Sequence, residues 1–156
     1  MTIHIGPLAP AHAGEALTVQ RAAYVTEAQH YHAPRIPPLT ETLDELRADL
    51  MSGVLALGAW TGTRLAGSVR GRVTGERMEI ARFSVAPDLQ GQGVGRTLLA
   101  AVEDAAPPEV TVFWLVTGES SEENLRLYRK AGYEIVGESA DAAGVALVVL
   151  EKPRRV

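Results

Sequence analysis

The alternation of hydrophobic periods along the chain predicts an α/β fold: a mixed, mostly antiparallel, twisted sheet of seven strands with about four helices, in the order β-αα-βββ-α-β-α-ββ. Three observations carry this. Three β-like runs follow one another between residues 54 and 85, separated only by Thr61-Gly62-Thr63 and Thr74-Gly75-Glu76, which are short hairpin loops. The run VTVFWLV, residues 110–116, is continuously apolar, as expected of a strand covered on both faces. Only two connections between strands contain a helix, so the sheet has to mix parallel and antiparallel pairs.

Residues 2–5 open the chain as a short strand closed by Gly6-Pro7. Residues 11–29 read as a helix, with Ala13, Leu17, Ala22, Val25 and Ala28 at roughly helical spacing. Three prolines in residues 30–40 predict an irregular surface loop. Thr40 is the expected N-cap of a second helix reaching Met51, with an acidic first turn. The meander strands are 54–60, 64–73 and 77–85. A helix over 93–105 presents Val94, Leu98, Leu99 and Val102 on one face and stops at Pro107-Pro108. Beyond the strand at 110–116, residues 121–131 form a helix capped by Ser120 with Glu123, or Ser121 with Asn124, and ended by Gly132. Strands 133–139 and 145–151 complete the sheet around a hairpin at 141–144.

The 156 residues, 46% hydrophobic and 22% charged, fit one globular domain, 1–156. The net charge of −4 argues against a nucleic-acid partner. With no cysteine there is no disulfide, thiolate metal ligand or thiol nucleophile. No basic segment precedes an apolar one at the start, and no apolar run approaches the roughly 20 residues that span a bilayer, so no membrane partner and a cytoplasmic location are expected.

The stretch ERMEIARFSVAPDLQGQGVGRTLLA, with the two residues of QG repeated before VG, runs strand, turn, glycine loop, helix. The first amides of a helix have no partner inside it, so this is a ready phosphate site. A Walker loop is excluded, because Gln90 stands where its first glycine belongs and Arg96 replaces its lysine. A dinucleotide fingerprint starting at Gly91 fails because Arg96 occupies its third glycine position and a meander, not a βαβ unit, precedes it. What fits is Gln/Arg-x-x-Gly-x-Gly/Ala, through Gln90, Gly93 and Gly95. With the strand end Phe-Ser-Val-Ala-Pro before it and an amphipathic helix after it, the segment resembles the acetyl-CoA motif of the GNAT superfamily of N-acetyltransferases. SEENLRLYRKAGY fits that superfamily's Asn-x-x-x-Tyr-x-x-x-Gly-Phe/Tyr signature through Asn124, Tyr128, Gly132 and Tyr133. The predicted element order is also that of the superfamily.

The resemblance implies an acyltransferase that moves an acetyl group from acetyl-CoA, as cosubstrate and without a metal, to a primary amine by direct attack in a ternary complex. Gly91, Gln92, Gly93, Val94, Gly95 and Arg96 would offer amides to the CoA pyrophosphate, flanked by Gln90 and Thr97. Arg96 either adds its charge there or is a solvated side chain at the helix start. Phe83, Ser84 and Val85 would pair with the pantetheine arm as an added strand, with the Val85 amide as oxyanion donor, and Asn124 would bind the arm from its helix. Arg126, Arg129 and Lys130 either meet the 3′-phosphate or form a solvated face.

Tyr128 matches the superfamily's general acid; it also suits a core aromatic, and a half-buried ring with its hydroxyl in the cleft satisfies both readings. Glu79, followed by Ile80, resembles the strand glutamate that serves as base in the histone-acetylating branch. Strand alternation puts Glu79 on the side of Ala81, Phe83 and Val85, while an ion pair with Arg70, Arg72 or Arg82, a phase-shifting β-bulge and a water chain as base stay open. The acceptor site is implied near the loop carrying His30, Tyr31, His32 and Arg35, near 117–120 and near 141–144. Those histidines have no carboxylate or cysteine at ligand spacing, which speaks against a metal. A monomer or homodimer is expected, and the alternative activity is a non-catalytic acetyl-CoA sensor.

Overall fold

A computed structural model of the chain describes residues 1–155. Seven strands form one sheet: β1 (His4–Pro7), β2 (Leu55–Thr61), β3 (Arg64–Thr74), β4 (Arg77–Val85), β5 (Val112–Gly118), β6 (Glu134–Ala140) and β7 (Ala146–Pro153), in spatial order β1-β2-β3-β4-β5-β7-β6. All neighbours are antiparallel except β4 and β5, which run parallel. The mixed, mostly antiparallel sheet is therefore as expected, and its single parallel pair sits at its centre.

The helices are α1 (Ala13–His30), α2 (Pro37–Thr40), α3 (Leu43–Met51), α4 (Val94–Asp104) and α5 (Glu122–Lys130). On one face of the sheet, α4 buries Val94, Leu98, Leu99 and Val102 against Ala66, Val69, Met78, Ile80, Phe113 and Leu115. These four α4 side chains are at most 1% exposed, and full burial of each contributes about 1.5–3 kcal/mol. That anchor fixes where the helix N-terminus lies. The opposite face carries α1 and α3, packed through Ala13, Ala16, Leu17, Leu46 and Leu50 against Ala56 and Leu65.

Local chemistry departs from expectation at four places. The prolines of the 30–40 loop do not exclude helix: Pro37 and Pro38 fill the first positions of the single turn α2, where a missing N–H costs nothing. The cap of α3 is Thr42, not Thr40. Its hydroxyl accepts from the Glu45 amide at 3.1 Å while the Glu45 carboxylate accepts from the Thr42 amide at 2.9 Å. In α1, Ala22 and Val25 are exposed, and the buried face instead includes Gln20. Finally, β5 starts two residues later than the apolar run, and its burial alternates, with Phe113, Leu115 and Thr117 inside and Val116 exposed.

Candidate active site

The parallel pairing of β4 with β5 covers only Arg77–Glu79 against Val112–Trp114. Beyond Glu79 the strands part, so the β4 edge from Ile80 to Val85 has no strand beside it on that side. A β-bulge marks the parting. Ser68 faces Ser84, but Arg70 faces Ala81, so one extra residue is accommodated on β4. Arg82 adopts φ +52°, a left-handed conformation that costs a side-chain-bearing residue about 1–2 kcal/mol.

The bulge reverses the phase of the strand. Met78 and Ile80 before it and Phe83 and Val85 after it all pack on the α4 side. Glu79 therefore does not share a face with Phe83 and Val85, which corrects simple alternation. It stands with Ala81 opposite Arg72 and Arg70, half-buried, at the last position where β4 and β5 still pair. None of the arginines considered for it pairs with Glu79 among the described residues: they go to Glu41 and Asp49.

Past the bulge, the Ala86 amide donates to the Ala66 carbonyl at 2.8 Å. In antiparallel pairing successive residues alternate, so Val85 turns its own N–H and C=O away from β3, into the opening. The Val85 carbonyl there accepts from Gln90 Nε2 at 3.2 Å. Gln90 thus ties the glycine loop to the strand end.

Leu89 donates to Ala86 and the next backbone donor bonded to a carbonyl is Thr97, to Gly93 at 3.1 Å. The intervening amides, Gln90 to Arg96, reach no backbone carbonyl among the described residues. Gly91 and Gly93 take φ +76° and +89°, the turn that points these amides outward, and Gly93 is the N-cap of α4. At Gly95 a Cβ would stand 3.4 Å from the Phe83 ring, so the loop lies against the bulged strand. The chemistry is a row of oriented donors at a helix start, suited to a polyanion such as a pyrophosphate.

On the far side of the opening, Tyr128 of α5 is 5% exposed, with its ring edge-on to Phe83 and to Tyr133, 6.0 Å between centroids in each case. No hydrogen-bond partner binds its hydroxyl among the described residues, yet no fully buried side-chain polar atom there is left unpaired. The hydroxyl thus borders the opening. Burial, and then charge at Tyr24 and Glu27, push it well above the ordinary tyrosine value, so it keeps its proton. Tyr133 is core, donating to Glu103 at 2.8 Å. Asn124 donates to Glu27 at 3.3 Å and to Thr117 at 3.4 Å, which leaves its carbonyl oxygen for a ligand. Ser121 occupies the N-cap position of α5 without capping it; its hydroxyl serves Glu27 at 2.8 Å and Tyr31 at 2.6 Å. Arg126, Arg129 and Lys130 are exposed on the outer face of α5, and with Glu119 and Glu122 they line a shallow groove.

The sequence reading named Tyr31 on the acceptor loop but missed the rest of the α1 side of the site. Gln20, Tyr24, Glu27 and Tyr31 recur at intervals of four, three and four residues, one face of a helix. Tyr24 donates to the Phe83 carbonyl at the bulge, 3.0 Å, and burial, opposed by Arg82, pushes its hydroxyl up to about 12. Tyr31 accepts from the Ser120 amide at 3.1 Å, and His30 Nε2 lies 3.2 Å from Ser120 Oγ. Gly118 is what admits Tyr31, because any Cβ there would overlap its phenol oxygen and the ring carbon that bears it. His30 and Tyr31 are thus spent on tethering α1 to the β5–α5 turn. His32 and Arg35 stand instead beside the hairpin residues Ala142 to Ala146, around a groove of about 600 Å³.

A buried polar network supports the bulge from α1 and α3. Arg70, 2% exposed, donates to Glu41, Asp49 and Gln20 at 2.6–2.9 Å, and Arg82 Nε reaches Glu41 at 3.4 Å. Burial alone would raise the Glu41 carboxyl. Hydrogen bonds from Arg70 and Gln20, with the charges of Arg70 and Arg82, overturn this and hold it at about 2.

A splayed parallel pair, a bulged strand with a free edge and a donor-lined loop opening a helix together define an α/β class built around an opening at its central strands. Residues 21–133 match the model of the acetyltransferase (GNAT) family. The chain belongs to that family. Over 145 residues it is 31% identical to the UPF0157 protein YqkA of Bacillus subtilis, a match that takes in 88% of this chain and 39% of that protein; the chain spans well under half the length of this relative. Among solved structures, the PaiA N-acetyltransferase of Thermoplasma acidophilum in complex with coenzyme A has the same fold (TM-score 0.81, 18% identity, 98% of this chain and 99% of that one). So does YncA, described as a putative acetyltransferase, from Salmonella typhimurium with acetyl-CoA (TM-score 0.80, 17% identity, 100% and 96%). A third is the ribosomal-protein-S18-alanine N-acetyltransferase of Escherichia coli (TM-score 0.78, 16% identity, 99% and 96%).

Proposed function

We propose that this chain acts as one domain that transfers the acetyl group of acetyl-CoA to a primary amine by direct attack within a ternary complex. The observation that carries the reading is the parting of β4 from β5: it leaves a free strand edge, the Val85 amide and the Tyr128 hydroxyl around one opening, with the unpaired amides of Gln90 to Arg96 at its end. Acetyl-CoA supplies the activated acyl thioester. The loop amides hold the pyrophosphate, with Arg96 and Thr97 beside them. Phe83, Ser84 and Val85 line the arm as a neighbouring strand would, and Asn124 meets it from α5.

An alkylamine, with a reference pKa of about 10.4, is protonated at neutral pH and has to lose a proton before it attacks. Glu79, at the root of the opening, takes that proton in our reading, directly or through water. The Val85 amide donates to the carbonyl oxygen as negative charge develops there. Nitrogen–carbon bond formation and carbon–sulfur bond cleavage follow; Tyr128, kept neutral by burial, gives its proton to the leaving sulfur, and the second proton shed by the nitrogen as the amide forms restores the Tyr128 hydroxyl, directly or through water. The acceptor enters beside His32 and Arg35. A screen of primary amines with acetyl-CoA, read by thiol release, tests the proposal. Amine-dependent release is expected; acetyl-CoA binding with no release for any amine would identify a cofactor sensor instead.

A further inference from the structure

Glu27 is a half-buried carboxylate with no cation beside it among the described residues. One oxygen accepts from Ser121 Oγ at 2.8 Å and the other from Asn124 Nδ2 at 3.3 Å, both neutral donors. Other half-buried acids are charge-paired, Glu41 and Asp49 by Arg70 and Glu103 by Lys152 at 2.7 Å; Glu79 and Asp141 share with Glu27 the lack of a cation among the described residues. Two neutral hydrogen bonds orient a carboxylate without neutralising it, so a partly desolvated negative charge is left over. Its charge is felt at both tyrosine hydroxyls of the opening, Tyr24 and Tyr128.

The surroundings show which way that charge is aimed. Glu27 lies between Tyr24, bonded to the bulge carbonyl of Phe83, and Tyr31, bonded to the β5–α5 turn, on the same face of α1. Ser121 is withdrawn from capping its own helix to serve it. Its place is the α1 wall of the opening, across from the free β4 edge. The donors beside Glu27 also reach other oxygens: Asn124 donates to the Thr117 hydroxyl as well, and the neighbouring Tyr24 donates to the Phe83 carbonyl. An ammonium carries three donors and no acceptor, and it supplies the missing positive charge.

We infer that Glu27 is the acceptor-binding residue that seats the incoming amine as its ammonium, so that the transferase selects alkylamines charged at neutral pH over anilines and alcohols. The inference rests on the transferase reading and adds to it the class of acceptor. Glu27 holds and orients the ammonium; Glu79 remains the group that removes the proton.

The test uses the full chain, acetyl-CoA, and butylamine, phenethylamine and glycinamide as acceptor probes, with aniline and butanol as controls. Glu27→Gln should raise the KM of the best amine about 10- to 100-fold, the range for losing a hydrogen bond to a charged group. Its acetyl-CoA dissociation constant by calorimetry should stay within about twofold of wild type, and Glu27→Asp should restore part of the loss. An unchanged amine KM, or a parallel loss of acetyl-CoA affinity, overturns the inference. Crystals of the wild-type protein with CoA, soaked in phenethylamine, give a readout independent of turnover: the nitrogen is expected against the Glu27 carboxylate, and a nitrogen seated elsewhere or no bound amine overturns it. Failure of wild type to bind acetyl-CoA would instead sink the transferase reading beneath it.

Discussion

The two walls of the opening are built on different principles. The β4–α4 wall is main chain: among the described residues, a strand edge without a neighbour and amides without carbonyls, with glycines that keep side chains out of the way. The α1–α5 wall is side chain: Tyr24, Glu27 and Tyr31 from one helix, Ser121, Asn124 and Tyr128 from the other, with Glu27 and Tyr31 hydrogen-bonded across to Ser121 and Asn124. A backbone wall recognises a constant ligand, because every residue offers the same donors. A side-chain wall can change its ligand by substitution, which is what an acceptor site requires.

If this division is right, damage on each wall shows in a different constant. The largest effect is expected at Tyr128→Phe, which removes only the hydroxyl proton. Turnover should fall about 100-fold or more, while acetyl-CoA affinity stays near wild type; unchanged turnover would return Tyr128 to a packing role. Glu79→Gln should give a smaller effect, chiefly a flattening of the limb of the pH–rate profile that rises with pH. A profile matching wild type would place the proton transfer on water or another group.

A smaller effect is expected at the seam, where the Glu41 network braces the bulge. Glu41 is held at about 2 against an ordinary 4.5, so its ionised form is favoured by folding. That stability is fully present above about 4.5 and is lost as pH falls from there toward about 2. In urea titrations across this window the wild-type midpoint should drop more steeply than that of Glu41→Gln. Equal slopes would mean that the network does not couple protonation to folding.

The contrast between walls also explains what could be read from the residues alone. Backbone sites leave a sequence trace, since positive φ and close approach call for glycine. Gly91, Gly93 and Gly95 therefore marked the loop, and the strand before it located the Val85 amide. The position of Tyr128 could be read from its helix signature. The bulge stood only as an alternative left open by the resemblance: Arg82 in a left-handed conformation has no residue signature, because Glu41, distant in sequence, pairs with it. That is why alternation put Glu79 on the wrong face relative to Phe83. The α1 wall was hidden for another reason. The helix was followed by its apolar residues, two of which, Ala22 and Val25, proved exposed, while the informative stripe was polar: Gln20, Tyr24, Glu27, Tyr31. A search for polar residues at helical spacing would have found it.

The claim that the backbone wall is the cofactor half is tested most directly by titrating acetyl-CoA into wild type and Gly93→Val in a calorimeter. Valine at φ +89° is strained and would turn the loop amides from their common direction. Saturable binding to wild type and a loss of about 100-fold or more in the variant are expected, with both proteins folded by circular dichroism. Equal affinity in the two would contradict it.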